Sequence, residues 1–279
     1  MEQVWGAATS AGRRRPINED SYLAALPIFV VADGMGGHQR GDLASAIAID
    51  EFASLAERSV ILPQDIDVCF RNAAHRLRDA LTEGVGGTTV CGVALSLQDG
   101  VPYWLIFNLG DSRVYRLSKA KRIMEQVSVD HSVVQELLEA GVVDREGATR
   151  HRERHVITKA LETVSVPEPD YWMIPIEQGD EILLCSDGLC DELSDQDIAQ
   201  TWASGTGPQD SATRLVEAAV TAGGKDNVTA VVVSAQAVGF VTDGVSESTA
   251  SMVRVESAGE THVDLHGSLE NTSPRTSRS

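Results

Sequence analysis

Apolar residues along this chain alternate between the two-residue period of strands and the wider spacing of one-sided helices, and the switches divide it into elements. Val4–Thr9 and Tyr22–Ala25 read as short strands, and the apolar run Ile28–Val31 as a third that ends in Asp33-Gly34. Arg40–Arg58 carries Leu43, Ile47, Phe52 and Leu55, while Asp65–Leu81 carries Val68, Phe70, Ala73, Leu77 and Leu81; both spacings predict helices with one apolar stripe. Strands are predicted over Thr88–Leu97, Tyr103–Leu109 and Arg113–Leu117, separated by Asp99-Gly100 and Gly110-Asp111 turns. Ser132–Ala140 reads as a short helix closed by Gly141. Strands Asp170–Ile176 and Glu181–Cys185, helices near Asp195–Ala203 and Ser211–Ala222, and a last strand Val228–Ser234 complete the pattern. Strands in tight-turn pairs and helices in blocks predict a mainly antiparallel α+β layered fold, not a doubly wound parallel one.

The pattern changes near residue 236. From Gln236 to Ser279 the chain is rich in Ser, Thr, Glu and Gly, and aromatic residues stop after Phe240, so 236–279 is predicted to be a disordered tail behind a folded domain of residues 1–235. A chain of 279 residues with 42% hydrophobic residues can bury a sizeable core. Its 23 Lys and Arg against 41 Asp and Glu give a formal charge of -18, which argues against attraction to nucleic acid or anionic lipid. The apolar stretch Leu23–Ala32 is broken by Pro27 and too short to span a membrane. Cys69, Cys91, Cys185 and Cys190 form no CxxC pair, and the N-terminus has no secretory pattern, so reduced, packed thiols in a cytoplasm are expected.

Asp recurs where apolar strands stop. Val30-Val31-Ala32-Asp33-Gly34, Phe107-Asn108-Leu109-Gly110-Asp111 and Leu184-Cys185-Ser186-Asp187-Gly188 each put a carboxylate at a strand end, and Asp226-Asn227 does so just before the final strand. Any one of these is also an ordinary turn. Gathered in one cleft, however, the carboxylates would repel and raise one another's pKa unless a cation neutralised them. Oxygen donors without thiolate or clustered imidazole favour Mg²⁺ or Mn²⁺ over Zn²⁺ or copper. Asp33-Gly34-Met35-Gly36-Gly37-His38 lets backbone approach a metal or phosphate, but it lacks the Lys-Ser/Thr of a Walker loop. Arg13-Arg14-Arg15, followed by Glu19-Asp20, sets a guanidinium suited to gripping phosphate beside a carboxylate pair suited to a cation.

In order along the chain, Arg15-x-x-Asn18-Glu19-Asp20, Asp33-Gly34-Met35-Gly36-Gly37-His38, Gly87-Thr88-Thr89, Gly110-Asp111-Ser112-Arg113, Asp130-His131-Ser132, Ser186-Asp187-Gly188-Leu189 and Asp226-Asn227 resemble the motifs of bacterial metal-dependent Ser/Thr protein phosphatases of the type 2C (PPM) family, from about Trp5 to Ser234. The resemblance implies a four-layer αββα sandwich: two central antiparallel β-sheets flanked by helices. It implies two Mn²⁺ or Mg²⁺ ions, bridged by Asp33, with Asp187 and Asp226 completing one and the Gly34 carbonyl the other. Glu19 and Asp20 would act through water, Arg15 would hold the substrate phosphate, and Asp111 with Asp187 would supply the third, weaker ion of many bacterial relatives. Residues 139–161 resemble the family's flap. Eukaryotic relatives often have His where Met35 stands; Met cannot donate a proton to the leaving hydroxyl, which leaves His38 nearby and points to metal-bound water as the acid.

The implied activity is hydrolysis of phosphoserine and phosphothreonine in proteins by a water or hydroxide bridging the metals, by a cytoplasmic monomer opposing a bacterial Ser/Thr kinase. Two other readings share the motifs: a non-catalytic phosphoprotein-binding module, whose mark would be lost ligands, and a hydrolase of small phosphomonoesters. Neither Cys185 nor Cys190 lies in a CxxxxxR loop of a thiolate phosphatase, and His151 and His155, at helical spacing, lack the glutamate position of a zincin.

Overall fold

Adjacent side chains in the central strands bury on opposite sides. In β3 (Ile28–Met35), Ile28 and Val30 join one apolar cluster while Phe29 and Val31 join a second. In β11 (Glu181–Cys185), Ile182 and Leu184 share that second cluster and Leu183 faces a third. Two sheets thus share a middle core, and each buries its other face under helices. Such strands are covered on both faces, which is why they read as continuous apolar runs. The computed structural model describes residues 2–36, 40–81, 86–118, 121, 123–163, 167–237 and 253–255.

One sheet has the order β1 (Glu2–Ser10), β12 (Val228–Ala237), β11, β7 (Arg113–Ser118), β8 (Ile123–Gln126). The other runs β13 (Val253–Val255), β10 (Asp170–Pro175), β6 (Val101–Leu109), β5 (Val90–Gln98), β3, β4 (Gly87–Thr88), β9 (Leu161–Glu162), with β2 (Asp20–Ala25) on β3. Every strand pairing among the described residues is antiparallel. Helices α1 (Gly41–Ala53) and α2 (Pro63–Ala80) cover the second sheet; α6 (Asp195–Ala203) and α7 (Pro208–Ala222) cover the first. The arrangement is the αββα sandwich that the motifs imply. No helix among the described residues is long and apolar enough to cross a membrane.

Several boundaries differ from the sequence reading. Asp33-Gly34 is not a turn: β3 continues to Met35, pairing Asp33 with Asp20 and Gly34 with Thr88. The buried face of α1 is centred on Ala44 and Ala48, whose small side chains bring the helix close to the sheet, and Leu43 is left exposed. On α2, Ile66, Cys69 and Phe70 face inward and Val68 does not. The helices α3 (Val133–Glu139), α4 (Arg145–Thr149) and α5 (Asp187–Cys190) are short, and only α3 was legible. Of the stretch expected to be a tail, the described residues are Gln236 and Ala237, at the end of β12, and Val253–Val255, paired with β10; the rest lies outside the described residues, as do Gly37 and His38.

Phe107 of β6 anchors the core under α1 and α2. Its ring stacks on Phe52 at 5.4 Å and meets Phe70 edge-on at 6.1 Å, with no exposed surface. Phe107→Ala removes this junction, and urea unfolding should show a stability loss of about 3–5 kcal/mol.

Candidate metal and phosphate site

The residues flagged in the sequence converge on one cleft of about 810 Å³ at an end of the sandwich. Arg15, Glu19, Asp33, Gly34, Asp111, Asp187 and Asp226 all line it. Asp20 sits directly behind, buried, paired across the β2–β3 ladder with Asp33. Both sheets contribute: Asp33 and Asp111 come from or follow β3 and β6, whereas Asp187 and Asp226 flank β11 and β12. The cleft thus lies where the two sheets end together.

Each carboxylate is held through its backbone by neighbours that the motifs contain but that the sequence reading gave no role. Thr89 donates its N–H to the Asp33 carbonyl at 2.9 Å, and Thr88 adds its hydroxyl at 2.9 Å. Thr89 Oγ1 also lies 2.7 Å from Ser112 Oγ, beside Asp111. The turn at Gly110 is fixed by His131, whose N–H donates to its carbonyl at 2.9 Å and whose Nδ1 accepts from its N–H at 3.0 Å. Arg113 and Asp130 form a forked pair, closing to 2.6 Å, that ties the same turn to the following loop. Asn227 accepts from the Glu19 N–H at 2.8 Å and donates to the carbonyls of Ala11 and Ile17. Gly34 faces α1 so closely that a Cβ there would lie 2.1 Å from the Gly41 carbonyl oxygen, which leaves room for no other residue.

Burial dominates the electrostatics. It pushes the carboxyls of Asp33 and Asp111 well above the ordinary range, and repulsion from neighbouring carboxylates adds to it. Asp20 is raised to about 7 by burial, opposed by hydrogen bonds from Thr229 at 2.7 Å and Ser186 at 2.8 Å. Asp187 is raised to about 6 by burial and by repulsion from Asp191 and Asp226, opposed by its interaction with Asp33. Glu19 is raised by burial. Arg15 pairs with Asp226 at 2.6 Å, which holds the guanidinium in the cleft and raises its pKa.

Asp20 Oδ1 is buried without a hydrogen-bond partner among the described residues. An orphaned carboxylate oxygen next to the half-buried carboxylates of Asp33, Asp111 and Asp187 is a donor set short of positive charge. Hard oxygen donors of this kind fit Mg²⁺ or Mn²⁺. The cleft also contains residues that the sequence reading did not place there. Arg154, His155 and Ile157 reach it from the 139–161 segment, and His155 Nδ1 lies 3.1 Å from Asp191. His155, Asp187 and Asp191 each bring one donor atom within 4.8 Å of the others. Their signal in the sequence was the spacing of Asp191 four residues after Asp187, one turn along α5.

A family model described as protein phosphatase 2C matches residues 9–218. The chain belongs to the protein phosphatase 2C family. It is 30% identical over 241 residues to the serine/threonine phosphatase stp of Listeria monocytogenes, covering 81% of this chain and 93% of that one. Among solved structures, the serine/threonine phosphatase PstP/Ppp of Mycobacterium tuberculosis superposes with a TM-score of 0.77 at 32% identity, over 84% of this phosphatase 2C chain and 99% of that one. The catalytic domain of PstP in complex with two manganese ions superposes with a TM-score of 0.74 at 32% identity, over 83% and 97%.

A pH dependence follows from the raised carboxyls. Without metal, the folded chain binds more protons than the unfolded one between the ordinary Asp value of 3.8 and about 7, so this group of residues stabilises least at the alkaline end of that window. Cations must displace those protons. Thermal melting of chelator-treated protein should therefore show Mn²⁺ stabilisation that is small near pH 5 and grows through pH 7; stabilisation independent of pH would contradict the proton displacement.

Proposed function

We propose that this chain is a metal-dependent protein serine/threonine phosphatase that uses Mn²⁺ or Mg²⁺. The observation that carries the reading is the meeting of Asp33, Asp111, Asp187 and Asp226 with Arg15 in a single cleft, in a chain of the phosphatase 2C family. Asp33 would hold two ions, Asp187 and Asp226 would complete one and the Gly34 carbonyl the other. Glu19 and Asp20 would act through water, and Asp111 with Asp187 would take a third ion. Bound there, the ions supply Lewis acidity that ionises water near neutral pH and screens the charge on the phosphoryl group.

The side chains do the rest. Arg15 offers a fork of N–H donors to the phosphate oxygens, and its present partner Asp226 keeps the fork at the mouth of the cleft until substrate arrives. Thr88, Thr89 and Asn227 fix the backbones that carry the acidic groups, so little reorganisation is needed when charge develops. Met35 lines the cleft and has no proton to give the leaving hydroxyl. The 139–161 segment is read as a flap beside the site, supported by Arg154, His155 and Ile157 on the cleft wall. Phosphorylated proteins are the substrates, and a bacterial Ser/Thr kinase is the opposing activity, in a cytoplasm that keeps the four thiols free. The catalytic domain is read as residues 1–235 of a monomer, with 236–279 as its tail.

Turnover of a phosphothreonine peptide should require Mn²⁺ or Mg²⁺ and exceed that of small phosphomonoesters in kcat/KM; the reverse preference would shift the substrate class, and binding without turnover would mark a recognition module. Asp33→Ala and Asp187→Ala should bring Mn²⁺-dependent turnover to background. Arg15→Ala should raise KM about 10- to 100-fold, with a smaller effect on kcat, because a charge-assisted pair contributes about 1.5–3 kcal/mol.

A further inference from the structure

Two thiols sit beside the cleft without a part in phosphate hydrolysis. Cys185 ends β11, Cys190 ends α5, and their Sγ atoms lie 3.6 Å apart, in contact. A disulfide needs about 2.05 Å, so the sulfurs must approach by about 1.5 Å. Cys185 is buried and Cys190 is partly exposed, so the pair has one inner and one accessible member. Cys190 Sγ is 3.6 Å from the Tyr115 hydroxyl, which in turn accepts from Arg113 Nη1 at 3.2 Å. The same hydroxyl donates to Asp195 Oδ1 at 3.2 Å, so the Cys190 sulfur lies against a polar cluster of Tyr115, Arg113 and Asp195.

We propose that Cys185 and Cys190 are a redox modification site: hydrogen peroxide joins them in a reversible disulfide that switches the phosphatase off. The Cys190 thiolate attacks one peroxide oxygen and the O–O bond breaks, leaving a sulfenic acid; the departing hydroxide takes a proton and leaves as water. Cys185 sulfur then attacks the sulfenic sulfur, the S–O bond breaks, and a second water leaves with the Cys185 proton. Two thiols lose two electrons in total, and one peroxide is reduced to two waters.

The bond would close a short ring through Ser186, Asp187, Gly188 and Leu189. This turn has little room to adjust. Gly188 is pressed so closely on Asn227 that a Cβ would lie 2.0 Å from its carbonyl oxygen. Ser186 N–H is held by the Thr229 carbonyl at 3.2 Å, and the Asp187 carbonyl by the Asp191 N–H at 2.8 Å. Drawing Cys190 toward Cys185 therefore displaces Asp187 and pushes on Asn227, which positions Glu19. The inactivation, though not the bond itself, rests on the proposed role of Asp187.

The test treats full-length protein with hydrogen peroxide, blocks free thiols with iodoacetamide, and follows the 185–190 peptide by mass spectrometry alongside Mn²⁺-dependent turnover. The bond should appear as a peptide lighter by two hydrogens and free of label, activity should fall at least tenfold in step with it, and dithiothreitol should restore both. Cys190→Ser should keep the basal turnover and lose the peroxide response; Cys69→Ser should keep both. Labelled, unlinked Cys185 and Cys190 in treated wild-type protein would overturn the proposal, as would a formed bond with unchanged turnover. Absence of Mn²⁺-dependent turnover before peroxide is a separate result, which would remove the phosphatase reading and leave the mass measurement to judge the bond.

Discussion

The structure depends on one unfavourable arrangement: carboxylates withdrawn from water and set against each other at the end of two sheets. Desolvation of an ion costs several kcal/mol in a protein interior, roughly, and like-charge repulsion adds to it. The scaffold tolerates this because the three apolar layers bury strands on both faces and leave the strand ends rigid. The raised carboxyls of Asp20, Asp33, Asp111 and Asp187 are the record of that cost. A cation relieves desolvation and repulsion together, so metal binding and the local stability of the cleft are one quantity.

Hydrogen bonds to backbone, more than to the acidic side chains, keep the arrangement in register. Thr89 joins Asp33 of one strand to the Asp111 turn of another through Ser112, and Asn227 joins the Asp226 turn to Glu19. Asp20 is the exception, with two hydroxyls on one oxygen and none on the other. That asymmetry leaves one oxygen without a partner among the described residues while the other is fixed. A group that only stabilised the fold would gain from satisfying both oxygens.

Much of the fold was legible because both sheets are covered on both faces: apolar runs such as Ile28–Val31, Tyr103–Leu109 and Glu181–Cys185 stand out against polar turns. The acidic residues were legible for the same reason, as abrupt polar interruptions of those runs. Where sequence reasoning failed, the physics was local or long-range in ways that periodicity does not register. Asp33-Gly34 has turn composition, yet pairing with Asp20 and Thr88 extends the strand through it. The inward face of α1 is set by Ala44 and Ala48, and hydrophobicity alone points to Leu43 instead. Short elements such as β9, α4 and α5 hold too few residues to show a period, and Asp191 and His155 meet only because the 139–161 segment folds back over α5.

The close fit at α5 gives the cleft a mechanical property that its chemistry alone would not supply. Asp187 opens a one-turn helix whose second residue, Gly188, packs against the backbone of Asn227, which couples the turn after β11 to the turn before β12. The Asn227 side chain in turn accepts the Glu19 N–H, which links the same turn to the Glu19 backbone. The sulfurs of Cys185 and Cys190 lie across the base of the same turn, and the distance separating them from a bond is comparable to the displacement that would misplace a metal-ligand oxygen. A rigid site is accurate for the same reason that it is easily disabled, and the thiol pair borders the turn that carries Asp187.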